Sequence, residues 1–158
     1  ATATLAYQIN SSNQAAGYYI DASGITHGYY RDSDGSLVFP IDPAGSVGTI
    51  VFGNNDSNTI VGRYADAAGL THGFVFVPPD QYVTYDFPGS TFTSLNGINK
   101  RGLIVGRYLD ASGIEHGILV RVTNGGSDRA TGGTIPQRQT PQATVSQPGT
   151  FKAVEPAL

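Results

Sequence analysis

The 158-residue chain contains no cysteine, methionine or tryptophan, and only 13% of its residues are charged. Without cysteine there is no disulfide framework, no thiolate nucleophile and no cysteine-ligated zinc or iron–sulfur site. Lysine and glutamate, which favour helices, occur only twice each, so a helix-rich domain is not expected. No apolar run approaches the roughly 18 residues of a membrane-spanning helix. The net charge of −3 does not favour a partner made of nucleic acid, which requires a basic face.

What the chain has instead is an internal repeat, which is the strongest signal in the sequence. Three segments read GYYIDASGITHGYY, GRYADAAGLTHGFV and GRYLDASGIEHGIL, and they begin at Gly17, Gly62 and Gly106. The match extends outward on both sides, to asparagines upstream and to an Asp-Pro-Gly type of turn downstream. All histidines of the chain occupy one position of the repeat: His27, His72 and His116.

Each repeat predicts four short β-strands, because β-branched and aromatic runs alternate with Gly, Pro and Asp. The second and third strands are joined by Asp-Ala-Ser-Gly or Asp-Ala-Ala-Gly. Aspartate can accept backbone N–H bonds at the first turn position, and glycine takes a positive φ at the last, which predicts a three-residue hairpin. These turn residues are Asp21 and Gly24, Asp66 and Gly69, and Asp110 and Gly113.

Four strands in about 44 residues are typical of a β-propeller blade. The sequence therefore predicts an all-β domain over residues 1–122, with unit 1 at about 2–46, unit 2 at 47–90 and unit 3 at 91–122. Three blades do not close a ring alone. Two other all-β forms fit the same repeat: a pseudo-threefold β-trefoil or prism, and an open stack of sheets that polymerises.

The repeat pattern IN-x-x-G-x-I-V-G-x-Y-x-D-x-x-G-x-x-H-G-F, followed by D-x-P-G, resembles the HAF-type extracellular β-repeats of bacterial surface and secreted proteins. The resemblance covers roughly residues 2–122. It implies propeller-like repeats, usually more than three of them, and it brings no catalytic residues to transfer. This chain has glycine after each histidine and Ile118 where the family pattern has an aromatic residue.

The last part of the chain, residues 123–158, is rich in Gly, Pro, Ser and Thr, a composition typical of a flexible tail. Within it, residues 143–154 read ATVSQPGTFKAV and resemble the segment around Pro88 and Gly89, which predicts an added strand. TFKAV also resembles TATLA at the other end of the chain. The resemblance suggests strand addition, in which the tail completes a sheet edge, more often that of a neighbouring chain.

The side chains that could catalyse a reaction or bind a metal can all be explained by structural roles. Three histidines at equivalent positions suggest a metal, but ligands must converge to about 2.1 Å from the ion, and repeat-related positions usually lie apart. No nucleophile motif accompanies them. We therefore expect no catalytic residue, no metal and no cofactor. A candidate ligand or partner surface is formed by two repeated pairs: Arg63 and Tyr64, and Arg107 and Tyr108.

These observations favour a non-catalytic structural β-repeat protein that forms a homo-oligomer, a polymer or a filament. The alternative is a lectin-like module that binds carbohydrate, and a secreted hydrolase is a distant third. Low charge together with abundant Gly, Ser, Thr and Asn is typical of exported proteins. The expected location is therefore extracellular or on a bacterial cell surface.

Overall fold

The computed structural model describes the backbone of residues 1–123 and 150–155 and the side chains of residues 1–121. All regular structure in these residues is β-strand, as the composition predicts. The strands are β1 (Ala3–Ile9), β2 (Ala15–Ile20), β3 (Thr26–Arg31), β4 (Leu37–Ile41), β5 (Ser46–Asn54), β6 (Ile60–Asp66), β7 (Thr71–Val77), β8 (Gln81–Tyr85), β9 (Phe92–Ile98), β10 (Leu103–Leu109), β11 (Glu115–Thr123) and β12 (Thr150–Glu155). The described residues contain no helix long and apolar enough to cross a membrane.

The strands form two sheets, one of four strands and one of eight. Strands β1 to β4 pair in chain order and antiparallel in the first sheet. In the second sheet, β5 to β8 pair in chain order, and so do β9 to β12. A single parallel bridge, between Thr71 of β7 and Phe92 of β9, joins these two groups. Neither sheet closes on itself among the described strands, so the closed β-trefoil or prism is not observed.

The hydrophobic core consists of two clusters, one on each side of unit 2. The rear face of unit 2 carries Ile60, Phe74 and Phe76 and packs against unit 1. Its forward face carries Val61 and Val75 and packs against unit 3. Neighbouring residues of a strand point to opposite faces, which is why Ile60 and Val61 belong to different clusters. The partners are Ala16, Tyr30 and Ile41 in unit 1, and Leu95, Ile104, Tyr108, Ile118 and Val120 in unit 3.

Close strand packing explains the glycine that begins each repeat segment. A Cβ atom at Gly62 would overlap the carbonyl oxygen of Ile50 on β5, and the equivalent overlap occurs at Gly106 with Ser94 on β9. A glycine inside a strand often marks such a close backbone approach. These positions therefore let the first strand of each unit lie tightly against the second.

The tail of the chain supplies β12, which pairs antiparallel with the free edge of β11 in the same chain. Of the predicted strand at 143–154, residues 150–154 fall within β12, and residues 143–149 lie outside the described residues. The sequence predicts that this strand docks on the sheet edge of a neighbouring chain in preference to an edge of its own chain. Within a single chain, β12 pairs with the N–H and C=O groups at the edge of β11, and pairing with a neighbouring chain stays a prediction.

Candidate functional site

The predicted turns place an aspartate at the start of each central hairpin. In unit 2, one carboxylate oxygen of Asp66, Oδ1, accepts hydrogen bonds from the backbone N–H groups of Ala68 and Leu70, both at 2.9 Å. Gly69 closes the turn with a φ of +84°. The same two bonds recur at Asp21 and at Asp110. Each aspartate thus has its second oxygen, Oδ2, left for another partner.

That second oxygen binds the repeated histidine. His72 lies between two aspartates: its Nε2 is 3.2 Å from Asp66 Oδ2, and its Nδ1 is 2.8 Å from Asp86 Oδ2. In unit 1, His27 lies 3.4 Å from Asp21 and 2.6 Å from Asp42 in the same way. Each of these imidazole rings therefore bridges the central hairpin to the residue that follows the fourth strand.

Unit 3 repeats half of this arrangement within the described side chains. His116 Nε2 lies 3.0 Å from Asp110 Oδ2. The chain segment that would supply the second carboxylate lies beyond residue 121, outside the described side chains. The aspartate of the turn is therefore the hydrogen-bond partner of the histidine that all three units share among the described side chains.

A tyrosine of the second strand covers each histidine ring. The ring centroids of Tyr64 and His72 are 4.9 Å apart, and Tyr108 and His116 have the same separation. Tyr19 covers His27 at 5.1 Å. Each imidazole ring thus packs against an aromatic ring of the neighbouring strand.

The aspartates shift the pKa values of the two histidines that they bracket. The hydrogen bond to Asp42 is the main cause that raises the pKa of His27 above its usual value. For His72, desolvation by burial acts most strongly and lowers the pKa, but the hydrogen bonds to Asp86 and Asp66 outweigh it and the net shift is upward. The pKa of Asp66 is lowered, first by the N–H of Leu70 and then by His72.

This geometry leaves His27 and His72 no free nitrogen with which to act on a substrate. Both ring nitrogens of each histidine are committed to carboxylates, and a general base needs an unshared lone pair within reach of a substrate proton. Among the described residues, no group of three or more His, Asp or Glu side chains is placed to hold a metal ion. The histidine bridges therefore fasten the central hairpins of units 1 and 2 to the residues that follow their fourth strands.

The structure places the residues of the predicted ligand or partner surface on two opposite faces. Tyr64 and Tyr108 are each only 8% exposed, because they point to the rear face and lie under the histidines. Arg63 and Arg107, one residue earlier, point to the opposite face. Both guanidinium groups lie over the ring of Phe92, at 5.3 and 4.8 Å from its centroid. The arginines therefore share an aromatic partner, and the tyrosines belong to the core.

Sequence reasoning missed the second carboxylate of the histidine bridge. The signal was present, since Asp42 and Asp86 open the aligned segments DPAGS and DFPGS. Only the pairing of the third strand with the fourth shows that this aspartate returns to the histidine.

No protein-family model, curated protein or solved structure was found to match this chain.

Proposed function

We propose that this chain is a non-catalytic structural β-repeat protein that self-associates through blade-like units. The observation that carries the proposal is the pair of apolar faces at the two ends of the stack, which no described strand covers. On unit 1, Leu37 and Phe39 are 54% and 60% exposed, and on unit 3 Val105 is 53% exposed. Exposed apolar patches on soluble proteins commonly mark contact surfaces.

The blade-like arrangement is supported by how the strands follow one another. Each run of four strands pairs in chain order, and successive runs meet face to face through the two core clusters. The first strand of unit 2, β5, contacts both β1 and β9, so the first strands of all three units lie side by side. Radial packing of four-stranded sheets around a common line of first strands is typical of a propeller.

The structural role is supported by the way the polar side chains are used. Histidine, aspartate and tyrosine, which in an enzyme would be the candidates for catalysis, bind one another inside each unit. The extracellular or cell-surface location is supported by the low charge of the chain and by its resemblance to HAF-type repeats. We therefore propose a secreted or surface-exposed protein of bacterial type.

The proposal is tested by the mass of the purified chain in solution. Light scattering and negative-stain electron microscopy over a hundredfold range of concentration should reveal particles heavier than one chain of 16.5 kDa. Discrete particles or filaments would both support self-association. A mass of one chain at every concentration would contradict it. Exchange of β12 between chains, a form of strand addition, is a second route to such particles.

Carbohydrate binding is the second candidate function, and the shared ring of Phe92 favours it. Both guanidinium groups lie over one aromatic ring, and Arg107 also forms an ion pair with Glu115, so the charge offered to an acidic sugar is mainly that of Arg63. Burial, and then the nearby charge of Arg107, lowers the pKa of Arg63, as expected of a cation that lacks sufficient counter-charge. Calorimetric titration with oligosaccharides of uronic acid tests this candidate. Binding by the wild type, lost in Arg63→Ala, would support it.

A further inference from the structure

The two joints inside the chain are built in the same way. At each joint the forward face of one unit packs against the rear face of the next. Val61 and its unit 1 equivalent Ala16 are both fully buried in forward faces. Ile60 and its unit 3 equivalent Ile104 are both fully buried in rear faces. The chain therefore shows one mode of contact twice.

The ends of the stack carry the two halves of this contact, and neither face is covered by a strand in the part of the chain that is described. The rear face of unit 1 presents Leu37 and Phe39, with Phe39 lying edge-on to Tyr19 at 6.3 Å. The forward face of unit 3 presents Val105, which is the repeat equivalent of Val61. Val105 thus repeats a position that is buried at the joint inside the chain, while Leu37 and Phe39 give the rear face of unit 1 an apolar surface of its own.

A series of hydrogen bonds between asparagines links the three units. The last asparagine of the series has a side-chain donor without a partner among the described residues. The Nδ2 of Asn10 donates to the backbone carbonyl of Asn55 at 2.9 Å, and the Nδ2 of Asn55 donates to the carbonyl of Asn99 at 3.2 Å. The Oδ1 of Asn99 accepts two bonds within its own turn. Its Nδ2 has no partner among the described residues.

The matching acceptor lies at the opposite end. The carbonyls of Asn55 and Asn99 each accept one bond from their own turn and a second from the preceding unit. The carbonyl of Asn10 accepts only the turn bond, from the N–H of Asn13, in the part of the chain that is described. A carbonyl oxygen has two lone pairs, so this group has room for one more donor.

We infer that a second copy of this chain docks head to tail, with the forward face of unit 3 on the rear face of unit 1. The inference rests on the proposed function and names its partner. In this contact the Nδ2 of Asn99 donates to the Asn10 carbonyl of the other copy. Propellers have about four to eight blades, and six is the multiple of three in that range. Two copies therefore close a ring of six units through two identical contacts.

Cross-linking tests the docking directly, because the chain contains no cysteine of its own. Ser11 Oγ lies 2.6 Å from Asp56 Oδ2 at the joint between units 1 and 2, and Lys100 is the unit 3 equivalent of Asp56. A chain carrying Ser11→Cys and Lys100→Cys, treated with a short bis-maleimide, should form a covalent dimer. The matched control, Ser11→Cys with Asp56→Cys, should cross-link within single chains.

Two substitutions supply independent readouts. Val105→Lys changes an exposed position of the single chain but would bury an unpaired charge in the dimer, so the dissociation constant should rise roughly 100-fold or more. Asn99→Asp keeps the oxygen that forms the turn and removes the unused donor. It should weaken the dimer roughly tenfold and leave the single chain folded.

The outcomes separate this inference from the proposed function. A covalent dimer with the first pair, and a single-chain mass for Val105→Lys, would support head-to-tail docking. Particles that persist in Val105→Lys without that cross-link would overturn the docking and indicate exchange of β12, with self-association intact. A wild-type mass of one chain at every concentration would overturn both.

Discussion

Unit 2 and the two outer units contain similar residues in different surroundings. Val61 in unit 2 is fully buried, because unit 3 covers the forward face on which it lies. Val105 occupies the same position of unit 3 and is 53% exposed, because no described element covers that face. The comparison teaches that the repeat determines which face is apolar, whereas the neighbouring unit determines whether that face is buried.

The largest loss of stability is expected at Gly62, where the neighbouring backbone leaves no room for a side chain. Gly62→Ala places a Cβ atom on the carbonyl of Ile50 and should destabilise the chain by about 3 kcal/mol. Gly69→Ala is the matched control, since its Cβ meets no atom within 4 Å and only the φ of +84° is unfavourable. That change should cost about 1 kcal/mol. Urea denaturation would contradict this account if both variants lost equal stability.

The second prediction tests the comparison of Val61 with Val105 directly. Val61→Ala leaves a cavity between units 2 and 3 and should cost about 2 kcal/mol. Val105→Ala should cost less than about 0.5 kcal/mol, measured by denaturation at concentrations where chains are separate. If the two variants were equally destabilised, the forward face of unit 3 would be covered in the single chain.

A third contrast concerns two buried threonines at equivalent positions. Thr93 Oγ1 accepts a hydrogen bond from the N–H of Phe87 at 3.0 Å. The equivalent of Phe87 in unit 1 is Pro43, which has no N–H, and Thr49 Oγ1 is buried without a partner among the described residues.

Thr93→Val should therefore lower the free energy of unfolding by about 1.5 kcal/mol, because it leaves the N–H of Phe87 without an acceptor. Thr49→Val should be neutral, or stabilising by up to about 1 kcal/mol, because it removes an unsatisfied hydroxyl. Thermal unfolding of the two variants tests the contrast. A larger loss for Thr49→Val than for Thr93→Val would show that the Thr49 hydroxyl is paired.

The smallest expected effect is a pH dependence of stability. The pKa of His72 is raised by folding. The contribution of His72 to the free energy of unfolding is therefore complete below about pH 6.5 and is lost as the pH rises through the folded-state pKa. The pKa of Asp66 is lowered, so its contribution is present above about pH 3.9 and is lost as the pH falls through the folded-state pKa.

Stability should therefore be greatest between about pH 4 and 6.5, and the thermal midpoint should fall by a few degrees toward pH 8.5. His27→Gln combined with His72→Gln should flatten this decline. A midpoint that rises between pH 6.5 and 8.5 in the wild type would show that the bridging histidines are not stabilised as cations.

The strands and hairpins could be predicted from sequence because their signals are local. LIVGRY and DASG contain the β-branched residues and the turn residues that β10 and its hairpin require. The histidine bridge was only half predictable, since Asp86 reaches His72 through pairing of β7 with β8. The exposure of Val105 was not predictable, because it depends on which faces meet.

The labelling rate of a single cysteine tests the central claim most directly. Val105→Cys should react quickly with a thiol reagent in dilute solution and progressively more slowly as the chain concentration rises and the face is covered. Val61→Cys, buried between units 2 and 3, should react slowly at every concentration. Equal rates for the two variants, or a Val105→Cys rate independent of concentration, would contradict the account.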